Sequence, residues 1–172
     1  MFTNEIAIYG KYGVMADKLK EIGLFERILD VYICGAVVGI IMGCKGEKKK
    51  DKNSVKVFAG QLNNEIIRLR YLASVAYMID NTEKKNTEEG KDDLLKNTFG
   101  DWFGIGDEKS KEKYDLLYEY ALGGIEIIFQ KVEAEKNDNE KHFVNFKKFI
   151  DEIERIEIES DIDRVFAGAL NL

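Results

Sequence analysis

A chain of 172 residues is the size of one domain and can bury a sizeable core. With 45% hydrophobic and 34% charged residues, ten Phe, eight Tyr, one Trp and no Pro, its composition excludes a disordered, collagen-like or proline-rich polypeptide. Twenty-six Lys and Arg against 32 Asp and Glu leave a net charge of -6, the wrong sign for general nucleic-acid affinity, so direct nucleic-acid binding is not expected.

Phe2 to Tyr9 is the one strand-like stretch, and an isolated strand contributes little stability. Val14 to Ile22 carries apolar residues at Val14, Met15, Leu19 and Ile22 and is stopped by Gly23, which predicts a short amphipathic helix. The next segment, Val31 to Cys44, runs 14 residues without a charge. That is short of the roughly 18 to 20 needed to cross a bilayer, so it predicts a buried central helix and no membrane span. Because it is apolar all round, it is no DNA-reading second helix, which would need a polar, basic face. Gly35, Gly39 and Gly43 recur every fourth residue and line one side of it. Interior glycines cost about 1 kcal/mol each against Ala, so the ridge implies a tight helix crossing inside the chain, with a homodimer seam of the small-xxx-small kind as the alternative. Cys34 and Cys44 lie too far apart on such a helix for a disulfide and read as small buried apolar residues of a reduced, cytoplasmic protein.

Lysines dominate the polar stretch near 45–53, which reads as an exposed loop. Helical periodicity resumes from Val57 to Ile79, and a second exposed loop is expected near 81–93. The stretch Phe99 to Asp107 has Gly100, Gly104 and Gly106 but no Gly-Lys-Ser/Thr ending, so it is no phosphate loop. Trp102 and Phe103 there either plug one end of the bundle or are presented to a partner. A third long helix is predicted from Glu112 to Glu135, with Gly123 and Gly124 marking a kink or a close contact. After a loop near 136–140, Phe143, Phe146, Phe149, Ile150 and Ile153 define an acidic C-terminal helix over 141–172. Within it Asp151, Glu152, Glu154, Glu157, Glu159, Asp161 and Asp163 face only Arg155, a net -6 over 13 residues. His142, the single histidine, reads as an exposed residue on the rim of that helix. The fold class is thus all-α, one helical bundle of five to six helices over residues 1–172.

One histidine and two cysteines ten residues apart supply neither a zinc site nor a nucleophile–base pair, so no catalytic, cofactor or metal residues are assigned. The candidate partner-binding residues are Trp102 and Phe103 and the acids from Asp151 to Asp163. Acids of that kind suit a basic partner. A Mg²⁺-dependent hydrolase using the same carboxylates is the enzymatic alternative.

Two stretches carry a resemblance. Glu21 to Lys45, EIGLFERILDVYICGAVVGIIMGCK, is similar to the opening helix pair of the bacterial Dnd system-associated protein 4 family, found beside DNA phosphorothioation genes. Tyr118 to Phe129, YEYALGGIEIIF, resembles a later helix of that family through Glu119, Tyr120, Ala121, Gly123 and Gly124. Together the two stretches cover 37 residues, in the same order. The resemblance implies an accessory component of a DNA-modification or anti-phage system and brings no catalytic residues with it. The function expected is therefore non-enzymatic binding of another protein. A phage- or mobile-element-encoded inhibitor acting through the acidic face is the other binding alternative.

Overall fold

Fourteen residues from Ile28 to Ile41 hold a single charge, Asp30, at the N-terminal end. They form a helix (α2) whose start is fixed by Asp30, which accepts the Arg27 backbone N–H at 3.1 Å and grips the Arg27 guanidinium through two hydrogen bonds of 3.0 and 2.6 Å. The helices Gly10–Glu21, Ile66–Asp80 and Glu108–Lys131 and the strand Ser54–Val57 pack against this apolar rod. The computed structural model describes residues 2–49, 51–82, 88–99, 108–134 and 138–155. Those residues are mostly helical, with seven helices rather than five or six, and a two-stranded sheet.

In chain order the elements are β1 (Ile6–Tyr9), α1 (Gly10–Glu21), α2, β2 (Ser54–Val57), α3 (Ala59–Asn64), α4 (Ile66–Asp80), α5 (Glu88–Phe99), α6 (Glu108–Lys131) and α7 (Asn139–Glu154). The stretch at 2–9 is not an isolated strand. β1 pairs antiparallel with β2 in the register Ile6 to Val57 and Ile8 to Val55, and Ile8 and Val57 are fully buried. Val57 ends that strand instead of opening a helix, and the helical run that follows breaks at Glu65 into α3 and α4. Part of the region expected as a loop near 81–93 is helical, since α5 starts at Glu88.

The central packing is α2 against α6. Gly35 and Gly39 face α6, and Gly124 faces them in return: a β-carbon on Gly124 would overlap the Gly35 carbonyl oxygen, and one on Gly39 would overlap that of Tyr120. The glycine ridge is thus filled by another helix of the same chain and is not free to form a homodimer seam. Gly123 does different work. A β-carbon there would strike the Cys44 carbonyl, so this glycine lets the extended segment after α2 cross α6. That crossing is held by the Gly46 N–H, which donates to the Glu119 carbonyl at 2.8 Å.

Gly43 is not part of the ridge. It follows the last turn of α2 with φ +63°, no atom stands within 4 Å of where its β-carbon would be, and its N–H bonds the Ile40 carbonyl while that of Cys44 bonds Gly39. This pair of bonds is the glycine-terminated helix end that satisfies orphan carbonyls. The same turn carries Cys44 out of the core: its side chain is exposed and only Cys34 is half-buried.

The main hydrophobic core unites β1, α1, α2, β2, α3, α4, α6 and α7. A smaller one joins Ala76, Tyr77 and Met78 of α4 to Leu94 of α5 and to Leu116 and Tyr120 of α6. There the Thr98 carbonyl, in the last turn of α5, accepts from Ser74 Oγ and from Lys113 Nζ, both at 3.1 Å, which places a buried cation where a helix end is negative. Helix α7 ends at its cap, Arg155, and the rest of the helix expected over 141–172 lies outside the described residues.

Candidate functional site

Tyr114 and Tyr118 stand four residues apart on α6, beside the stripe formed by Leu117, Ala121 and Ile125 that packs into the core. Residues spaced by four share a helix face, and this face looks toward β1. Phe2, Ile6, Ala7 and Tyr9 meet that face directly, and Lys48 and Lys49 stand at the rim. Together they line an open cleft of about 430 Å³, with Asp115 the one acidic group in its lining. Its size falls within the usual range for ligand sites, about 300 to 1,000 Å³.

Each wall is fixed from behind. The Phe2 N–H donates to Asn63 Oδ1 at 2.7 Å and the Asn63 amide donates back to the Phe2 carbonyl at 3.0 Å, which pins the N-terminal strand to α3. The Phe2 and Tyr114 rings are 4.9 Å apart and tilted by 57°. Tyr118 donates its hydroxyl to the Ala7 carbonyl at 2.8 Å. Behind Tyr118 lies Tyr32 of α2, ring centroids 6.4 Å apart, 1% exposed and without a hydrogen-bond partner for its hydroxyl among the described residues. Lys48 pairs with Asp115 and its ammonium lies 5.5 Å from the centre of the Tyr118 ring. Lys49 pairs with Glu47.

Burial raises the pKa of Tyr114 and of Tyr118 above the usual phenol value, so both are neutral donors and acceptors near pH 7. In chemical terms the cleft offers aromatic faces, hydroxyls and two tethered cations. Such a surface can bury an apolar group and orient charged neighbours; no nucleophile with an adjacent base is among its lining residues.

The sequence pointed elsewhere. Trp102 and Phe103 lie outside the described residues, as do Glu157, Glu159, Asp161 and Asp163. Asp151, Glu152 and Glu154 are exposed on α7, and Glu152 is tied to Lys131 at 2.7 Å. They take no part in the cleft. Among the described residues no group of three or more His, Cys, Asp or Glu side chains is placed to hold a metal ion, and no helix is long and apolar enough to cross a membrane.

His142 is not exposed. It is 1% accessible, with Nδ1 2.9 Å from the Val132 carbonyl, and so anchors the start of α7 to the end of α6. The buried stripe of α7 runs His142, Phe146, Phe149 and Ile153, while Phe143 is half exposed. The expected spacing holds at Phe146, Phe149 and Ile153, and in the first turn His142 takes the inward position in place of Phe143. The cleft itself was missed because its residues are scattered from Phe2 to Tyr118; the available signal was the pair Tyr114 and Tyr118 outside the apolar stripe.

Comparison with protein-family models, with curated proteins and with solved structures finds no match to this chain.

Proposed function

We propose that this chain is a non-enzymatic, cytoplasmic accessory protein that works by binding another protein, in the setting of a bacterial DNA-modification or anti-phage system. The observation that supports binding is the aromatic cleft between β1 and α6, a rigidly backed apolar recess opening beside exposed lysines. Concave apolar sites with a few placed polar groups are where ligands are taken up, and buried aromatic contacts dominate protein interfaces. The setting comes from the resemblance of Glu21–Lys45 and Tyr118–Phe129 to the phosphorothioation-associated family.

The test is capture of partners from the source cell by the tagged full chain under native salt, followed by mass spectrometry. The expected result is one protein recovered in near-stoichiometric amount and encoded beside the gene for this chain. Recovery of nothing above an untagged control removes the reading.

A further inference from the structure

Resting on that reading, we infer which part of the partner is recognised: the cleft takes one large apolar side chain from an acidic linear segment of the partner, whose neighbouring carboxylates meet Lys48 and Lys49. Charge complementarity carries the first half of the argument. Residues 45–56 hold six Lys against Glu47 and Asp51, a net +4 in a chain whose total is -6. Of these, Lys48 and Lys49 line the rim, 41% and 79% exposed, and their surface pairs with Asp115 and Glu47 are of the weak kind that a ligand's carboxylates can replace. An acidic segment is therefore drawn to this side of the molecule and kept from the acidic remainder.

The second half concerns what enters. The strand edge of β1 is already occupied at this point, because Tyr118 bonds the Ala7 carbonyl. Strand addition would have to break that bridge, so the cleft reads a side chain and not a backbone. Its walls are the rings of Phe2, Tyr114 and Tyr118, which favour an aromatic or large aliphatic occupant.

A single-stranded nucleic acid is the competing anion. Asp115 in the lining needs a donor once Lys48 turns to the ligand, and a peptide brings backbone N–H groups as well as carboxylates. The phosphodiester backbone of DNA brings acceptors only.

The experiment selects phage-displayed random dodecapeptides on the full chain and measures the winning synthetic peptide by fluorescence anisotropy, with a labelled dodecathymidylate as comparator. The expected winners carry one aromatic or large aliphatic residue within three positions of Asp or Glu. Their affinity should fall about tenfold or more in Lys48→Glu with Lys49→Glu and in Tyr114→Ala, the loss expected for removing an interface hot spot. The lysine pair is exposed, so that variant remains informative if Tyr114→Ala does not fold. Absence of winners, winners without acidic residues, affinity unchanged in the lysine variant, or tighter binding of dodecathymidylate would each overturn the inference. If the lysine variant still captures the cellular partner as well as the wild type does, the cleft assignment fails while the binding function stands. If neither captures one, the function fails first.

Discussion

The backbone of Gly124 rests against the carbonyl oxygen of Gly35, leaving no room for a β-carbon between α6 and α2. The atoms in the way are backbone, which cannot swing aside as a side chain can. Gly124→Ala and Gly39→Ala should therefore force the two helices apart and cost about 1 to 3 kcal/mol or more, as overpacking does. Gly43 offers the control. Its surroundings are open and only its positive φ resists substitution. Gly43→Asn, a residue that tolerates the left-handed region, should cost well under either of the others. Urea midpoints of the three variants decide it; if Gly43→Asn is the worst of the three, the crossing does not depend on these glycines.

Much of this was legible because helices announce themselves locally. The 14 uncharged residues of the Val31–Cys44 run read as a buried helix from composition alone, and the Gly123–Gly124 pair as a kink or a close contact, of which the packing against Cys44 and Gly35 is the second. The spacing of Gly35, Gly39 and Gly43 was legible too, but spacing cannot tell where a helix stops, and α2 ends at Ile41. β2 was illegible for another reason. Its four residues acquire strand character by pairing with β1, some fifty positions earlier, and Val57 fits a helical repeat equally well. The cleft lies furthest from sequence reasoning, since it exists only when Phe2, Lys48 and Tyr118 are brought together by the α2–α6 crossing and the extended segment that follows it.

His142 and Phe143 are neighbours with opposite fates, 1% and 50% exposed. His142→Asp should strip the contact with the Val132 carbonyl and bury a carboxylate, a change of the kind that costs several kcal/mol. Phe143→Asp should shift stability by about 0.5 kcal/mol or less, as surface substitutions do. Thermal melts of the two variants compare them directly. A larger loss for Phe143→Asp would put Phe143, and not His142, in the inward position of the first turn of α7.

The two cysteines should react very differently. Burial pushes the Cys34 thiol up to about 11, whereas the Cys44 side chain is exposed. At pH 8 only about one Cys34 in a thousand is thiolate, the form that attacks a disulfide reagent. Ellman's reagent should release one equivalent quickly from the native chain and two after denaturation, and Cys44→Ser should abolish the fast equivalent. Two equal fast thiols in the native chain would contradict the burial of Cys34.

Alkaline pH should unfold the chain through its tyrosines. Burial raises the hydroxyl pKa of Tyr32, fully enclosed behind Tyr118, and burial together with the Asp80 carboxylate pushes Tyr120 up to about 12. In both, the folded state favours the neutral phenol relative to the unfolded chain, which ionises near its ordinary value of about 10. Their contribution is therefore fully present below about pH 10 and is lost as the pH climbs from there toward 12. Unfolding followed by circular dichroism should coincide with tyrosinate absorbance over that interval. Tyr32→Phe sharpens the test, because the hydroxyl it removes is buried without a hydrogen-bond partner among the described residues. Deleting an unsatisfied buried polar group is neutral or stabilising, so the variant should match or exceed the wild-type urea midpoint at pH 7 and keep more of it at pH 11. An unchanged alkaline loss in Tyr32→Phe would move the burden to Tyr120, and Tyr120→Phe would then have to flatten the same curve; if neither variant does, tyrosine ionisation is not what unfolds the protein.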